Sequence, residues 1–213
     1  RDAQESRGLG DVYKRQHSMI IMIDNHDSFT YNLIDYIKVQ THEEIKVISI
    51  DHVSVKFIEY LNPRAIIISP GPGRPSDYPI LSTLLEKFHS YIPILGVCLG
   101  FQLIVEFYGG QITHNDKPIH GHTTKIHHYN EGIFKGLPSS FNVMCYHSLM
   151  AVNSSIPSEL KITAKNDEEI IMAVEHCDYT VYGVQYHPES ILSEYGHAQV
   201  NLFLTEAGVR CAY

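Results

Sequence analysis

The chain has 213 residues, 44% of them hydrophobic and 19% charged, enough to bury a core of generous size. Its 16 Lys and Arg against 24 Asp and Glu leave a net charge of -8, so it lacks a basic footprint for phosphates and no nucleic-acid partner is expected. Apolar runs such as Met19–Ile23 are about a quarter of the roughly 20 residues a bilayer crossing needs, so no membrane partner is expected; the four cysteines (Cys98, Cys145, Cys177, Cys211) form no CxxC pair and fit a reducing cytoplasm.

Residues 1–16 are polar and without apolar periodicity, and Asp11-Val12-Tyr13-Lys14-Arg15-Gln16 reads like an in-frame translation of a sequencing-adapter end. The expectation is a non-native tail over 1–18, a native start at Met19 and a single domain over 19–213. Removing the tail changes the net charge only from -8 to -9, since Arg1 to Gln16 carries four positive and three negative charges.

From Met19 onward short β-branched runs alternate with longer amphipathic stretches, the rhythm of an α/β sheet. Strands are predicted over 19–23, 45–50, 65–68 and 92–97, and helices after Asp27 or Ser28 (with Phe29, Leu33, Ile34 and Ile37 on one face) and over 55–61, 80–88 and 102–108. Near-continuous Ile and Val runs point to a mostly parallel central sheet with helices on both faces. Beyond Gly109-Gly110 the segments 123–128, 141–146, 162–164, 170–174 and 181–186 alternate apolar and polar residues, predicting appended antiparallel ribbons, and a last helix is predicted over 198–206.

The chemistry concentrates where these elements end. In Gly96-Val97-Cys98-Leu99-Gly100 a buried strand breaks into a helix, with Gly two residues either side of a Cys. A sharp bend of this kind holds its central residue in strained backbone geometry and leaves the side chain exposed at the carboxyl edge of the sheet. At a helix N-terminus the thiolate is favoured and the Leu99 amide can face an oxyanion. A second apolar run ends in Gln185-Tyr186-His187-Pro188-Glu189-Ser190, where His187 can exchange the thiol proton and Glu189 can hold the imidazole tautomer. Ser69-Pro70-Gly71-Pro72-Gly73 makes a rigid turn whose amides can approach a ligand, as a second oxyanion donor or a substrate clamp. Tyr146-His147-Ser148-Leu149, placed in a loop at a strand end, offers a hydroxyl and backbone groups for the charged end of a small polar substrate. Taken singly, these are a buried strand-end cysteine, one histidine among 14, a turn and a loop. Together they read as a Cys98, His187, Glu189 triad. The histidines His120, His122, His127 and His128 lack a ligand spacing, and a ribbon would turn His127 and His128 to opposite faces, so no metal is expected.

With Asp24-Asn25-His26-Asp27-Ser28-Phe29-Thr30-Tyr31-Asn32 added, these motifs, in this order, resemble the class I, triad-type glutamine amidotransferases. Within that family His120-Gly121-His122-Thr123-Thr124 and the His187-to-Leu192 ending are most similar to the amidotransferase subunits of anthranilate synthase and aminodeoxychorismate synthase. The resemblance implies that Cys98 attacks the side-chain amide of L-glutamine with His187 and Glu189 as partners, and that the oxyanion hole is the Leu99 amide with one from Gly71 or Gly73. It further implies glutamine contacts from Gly71, Pro72, Gly73, Gln102, Ser148 and Leu149. No cofactor is implied in this subunit. The implied partner is a larger chorismate-binding synthase subunit that carries Mg²⁺ and receives the ammonia, for tryptophan or, alternatively, folate synthesis. Two other readings stand beside it: a stand-alone thiol hydrolase of γ-glutamyl or peptide bonds, and a silent regulatory partner. Departures from the family pattern are Phe101, where many relatives carry His, and His122 in place of a common Lys.

Overall fold

A computed structural model describes residues 18–212, with the side chains of 116–120 left out; the segment expected to be a tail lies almost wholly outside the described residues. The chain order is β1 (Met19–Asp24), α1 (Thr30–Lys38), β2 (Glu44–Ser49), α2 (Val55–Leu61), β3 (Ala65–Ile68), α3 (Pro79–Phe88), β4 (Ile94–Val97) and α4 (Leu99–Phe107). There follow β5 (Ile112–His128), β6 (Ser140–Ala151), β7 (Leu160–Asn166), β8 (Ile171–His176), β9 (Val181–Val184) and α5 (Gly196–Glu206).

All nine strands form one sheet, ordered β2-β1-β3-β4-β9-β8-β7-β5-β6. The first five in that order run parallel, and from β9 outward each pair is antiparallel. The ribbons are therefore an extension of the central sheet, and β9, expected among the antiparallel segments, pairs parallel with β4. This crossover carries the chain from the far edge back to the strand beside Cys98.

The continuous apolar strands follow from burial on two faces. On β1, Ile20 and Met22 pack with Leu33, Ile34 and Ile37 of α1 and Phe203 and Leu204 of α5. Ile21 and Ile23 face the other way, onto Ile58 of α2, Leu81, Leu84 and Leu85 of α3, and Leu103 and Ile104 of α4. Each such side chain taken fully from water contributes about 1.5–3 kcal/mol before the entropy of ordering.

Several element boundaries differ from expectation for local reasons. Phe29, expected on the apolar face of α1, occupies its N-cap position, and no side chain caps the helix; the Asp27 carboxylate instead accepts from the Phe29 N–H at 2.7 Å. α4 begins at Leu99 rather than 102 because the bend at Cys98 runs straight into helix. Tyr146–Leu149, expected as a loop, lies inside β6, because its backbone stays paired with β5 across two register shifts. No helix among the described residues is long and apolar enough to cross a membrane.

Candidate active site

β3, β4 and β9 lie side by side, so the segments leaving their carboxyl ends converge. Cys98 follows β4 directly with φ 54° and ψ -97°, left-handed backbone that a non-glycine residue occupies only at a cost of about 1–3 kcal/mol. Its N–H donates to the Val184 carbonyl at 2.8 Å and its carbonyl accepts from the Gln102 N–H at 3.1 Å, which fastens the bend to β9 on one side and to the first turn of α4 on the other. The flanking glycines are required by close approach. A Cβ on Gly96 would run into the Gly100 carbonyl group, and one on Gly100 would stand 2.7 Å from the Ile68 oxygen.

The thiol is buried rather than exposed, at 7%, because β6 passes over it. Cys98 Sγ donates to the Tyr146 carbonyl at 3.8 Å. His187, on the segment leaving β9, is held by its own N–H donating to the Met144 carbonyl at 2.9 Å. Its Nδ1 meets Glu189 Oε1 at 2.7 Å, with both side chains at or below 2% exposure. Rings of Phe29 and Tyr146 flank the imidazole at 5.0 and 5.5 Å between centroids. Nε2 is buried without a partner in hydrogen-bonding geometry, yet the Cys98 sulfur is near enough to act on it. Burial lowers the imidazole's proton affinity, but Cys98 and the Glu189 carboxylate outweigh it and push the His187 pKa up to about 10.

The turn after β3 arrives from the other side. Asn25, leaving β1, donates its N–H to Ser69 Oγ at 3.0 Å and its side-chain Nδ2 to the Ser69 carbonyl at 2.8 Å. Gly71 then passes so close to Asn25 and Leu99 that a Cβ would meet them at 2.6 and 2.9 Å. Gly73, with φ +78°, faces the Asp77 carboxylate, which accepts from the Arg74 N–H at 2.8 Å; that glycine serves the turn. Pro72 contributes its carbonyl to the Tyr78 hydroxyl at 2.9 Å.

The remaining residues divide. Gln102 is buried and donates to Gln185 Oε1 at 3.4 Å. Ser148 is half-buried, while Leu149 is buried and its carbonyl accepts from His147 Nδ1 at 2.9 Å. Phe101 is fully buried and lies 3.1 Å from where a Gly183 Cβ would be, so this departure fills core. His122 is exposed. His127 pairs with Asp167 at 2.6 Å, whereas His128 turns inward and stacks on Phe134 at 4.9 Å, the opposite facing expected of adjacent strand residues; the His120 side chain lies outside the described part. Among the described residues no group of His, Cys, Asp or Glu is disposed to hold a metal ion.

Sequence reading missed Gln185, Phe29 and the Asn25–Ser69 brace. Gln185 carried a usable signal: a long polar side chain inside an apolar run is informative when buried.

Fold and geometry together define the class: an α/β protein that gathers a cysteine, a histidine and a glutamate at the carboxyl edge of its sheet. The family model described as glutamine amidotransferase class-I matches residues 21–207, and the chain belongs to that family. It is 42% identical over 195 residues to anthranilate synthase component 2 of Pseudomonas aeruginosa, covering 89% of this chain and 96% of that one. It is 40% identical over 186 residues to aminodeoxychorismate/anthranilate synthase component 2 of Bacillus subtilis, covering 87% and 95%. The bifunctional protein TrpGD of Thermotoga maritima is 43% identical over 196 residues. The chain spans 33% of that relative's length and about half or less of two multifunctional tryptophan biosynthesis proteins. A solved glutamine amidotransferase from Thermotoga maritima shares the fold, with a TM-score of 0.70 at 12% identity over 90% of this chain and 98% of that one.

Proposed function

We propose that this chain hydrolyses L-glutamine at Cys98 and passes the ammonia to a larger chorismate-using synthase subunit, as the amidotransferase half of an anthranilate synthase. The observation that carries the reading is the buried Cys98 on its strained bend beside a His187 whose Nδ1 is fixed by Glu189 at 2.7 Å. In this reading Cys98 attacks the γ-carboxamide as His187 Nε2 takes the thiol proton. The oxyanion meets the Leu99 amide and a backbone amide of the Gly71 turn, which packs against Leu99. His187 returns the proton to the departing ammonia, leaving a γ-glutamyl thioester that water hydrolyses.

Glutamine is held by the turn at Gly71 and Pro72 on one side and by Ser148 and Leu149 of β6 on the other. Gln102 reaches it only by leaving Gln185. Chemistry here uses side chains and backbone amides alone, and Mg²⁺ belongs to the synthase subunit that binds chorismate. Free ammonia is largely protonated at neutral pH, so release inside a closed interface keeps it nucleophilic; a cytoplasmic complex suits that need. The Bacillus subtilis relative bears both names, which keeps the folate pathway as the second reading.

Glutamate release is measured with and without an anthranilate synthase component 1, and again with the aminodeoxychorismate partner. Strong stimulation by the first supports the tryptophan assignment and by the second alone the folate one. Equal turnover without either points to a stand-alone hydrolase, and none under any condition to a silent partner. Cys98→Ser is expected to abolish glutamine-dependent product while ammonia-dependent synthesis by the complex continues.

A further inference from the structure

Gln185 is completely buried, and a buried carboxamide is costly unless both of its ends are hydrogen-bonded. Both are. Gln102 Nε2 donates to Gln185 Oε1 at 3.4 Å, and Gln185 Nε2 donates to Cys98 Sγ at 3.7 Å. The Gln185 backbone is pinned as well, its N–H donating to the Met172 carbonyl at 2.9 Å. Because Gln102 occupies the carbonyl end, the NH₂ end is the one turned to sulfur.

Besides His187, two contacts on that sulfur pull in opposite directions. The Tyr146 carbonyl, 3.8 Å away, accepts the thiol proton and so rewards the neutral form. An N–H donor rewards the form with an extra electron pair, since hydrogen bonds to an ionised acceptor are about twice as strong as those between neutral groups.

We propose that Gln185 is a further catalytic residue, whose side-chain amide holds the Cys98 sulfur as thiolate. The proposal rests on the reading of Cys98 as nucleophile. Gln185 transfers no proton. When the thiol proton moves to His187 Nε2, the Gln185 N–H stabilises the lone pair that then forms the C–S bond. When water has attacked the thioester and the C–S bond breaks, the electron pair returns to sulfur and the same N–H receives it. Gln102, bonded to the far end of the amide, is a positioning residue for this donor.

The test is the pH profile of Cys98 alkylation by iodoacetamide, read peptide by peptide on the isolated chain, in the parent, Gln185→Met and Gln185→Glu. Met keeps the length and removes the donor; Glu keeps the shape and places an acceptor or a negative charge beside the sulfur. Expected are profiles displaced to higher pH and alkylation at pH 7 slowed by roughly tenfold in Met and further in Glu, the scale of one charge-assisted hydrogen bond. Glutaminase kcat falls in parallel. Folded variants with an unshifted profile overturn the proposal, even if kcat falls, because Gln185 would then act by packing alone. Should Met fail to fold, Gln185→Leu, which also removes the donor without adding charge, decides the matter by the same profile. A parent Cys98 that alkylates normally but supports no glutamine hydrolysis would instead contradict the functional reading and leave the Gln185 result readable.

Discussion

At the scale of single residues, the bend at Cys98 sets backbone strain against function. A side chain at φ 54° is held where glycine would rest without penalty. Replacing Cys98 by Ala keeps the strain, and replacing it by Gly removes it; both remove the sulfur. In an ordinary strand or helix Ala is the more stable of the two by about 0.5–1 kcal/mol. Here the order is expected to reverse, with Cys98→Gly more stable than Cys98→Ala by about 1 kcal/mol in urea denaturation, and neither variant hydrolysing glutamine. An Ala variant as stable as the Gly variant or more so would show that the bend stores no strain. Gly96 fails in the opposite sense. The new Cβ in Gly96→Ala runs into helix backbone at Gly100, which cannot move without lifting α4 off β4, so a loss of about 3 kcal/mol is expected together with the activity.

Among the elements, the turn after β3 is held by a brace that crosses from one strand end to another. Ser69 Oγ accepts from the Asn25 N–H and donates to the Pro70 carbonyl, all at buried positions. Ser69→Ala leaves a buried N–H without its acceptor and is expected to cost about 1–3 kcal/mol. It frees the Gly71 turn at the same time, so kcat/KM for glutamine falls more than a purely distributed loss of stability predicts; unchanged kinetics in a destabilised variant would detach the turn from the site. The elements themselves were unevenly legible. α2 and β3 match the sequence reading residue for residue, because both are bounded by polar or turn residues that interrupt a clear apolar period. The start of α4 is legible only from the bend motif around Cys98 and not from periodicity, since Leu99, Gly100 and Phe101 are all buried and a segment buried on every side shows no period. Tyr146–Leu149 carries no strand signal of its own in the sequence. Yet His147 is buried and bonds the Leu149 carbonyl, a local satisfaction that composition does not reveal. The cysteine, histidine and glutamate were legible because a bend and an X-Pro step have narrow sequence requirements. Gln185 received no role, since an amide declares its chemistry only once its two partners are known.

On the scale of the whole molecule, the sheet that brings β9 back beside β4 also buries groups that ionise only in alkali. Burial pushes the Cys145 thiol from 9.0 up to about 12 and the Tyr182 phenol from 10.0 up to about 12, and it raises Tyr186, wholly enclosed, well above its usual 10.0. Tyr186 donates its hydroxyl to Gln199 of α5, so it must stay protonated for that helix to remain seated. The sign follows from proton counting. Each group is raised in the folded chain, so its contribution is fully present below the unfolded value and is lost as pH climbs toward the folded one; above pH 9 the unfolded chain has shed protons the folded chain keeps. Stability is therefore expected to fall gently from about pH 6.5 through His187, whose pKa is also raised in the fold, more steeply from about pH 9 through Cys145, and above pH 10 through the tyrosines, each adding a slope of up to about 1.4 kcal/mol per pH unit. Urea midpoints between pH 6 and 11 measure the curve. Cys145→Ala is expected to remove the slope added between pH 9 and 10, and Tyr186→Phe to make the curve shallower above pH 10 while leaving the stretch between 9 and 10 unchanged. A parent whose midpoint falls no more steeply above pH 9 than below it would mean that these groups reach solvent, and with them the strand pair that encloses Cys98.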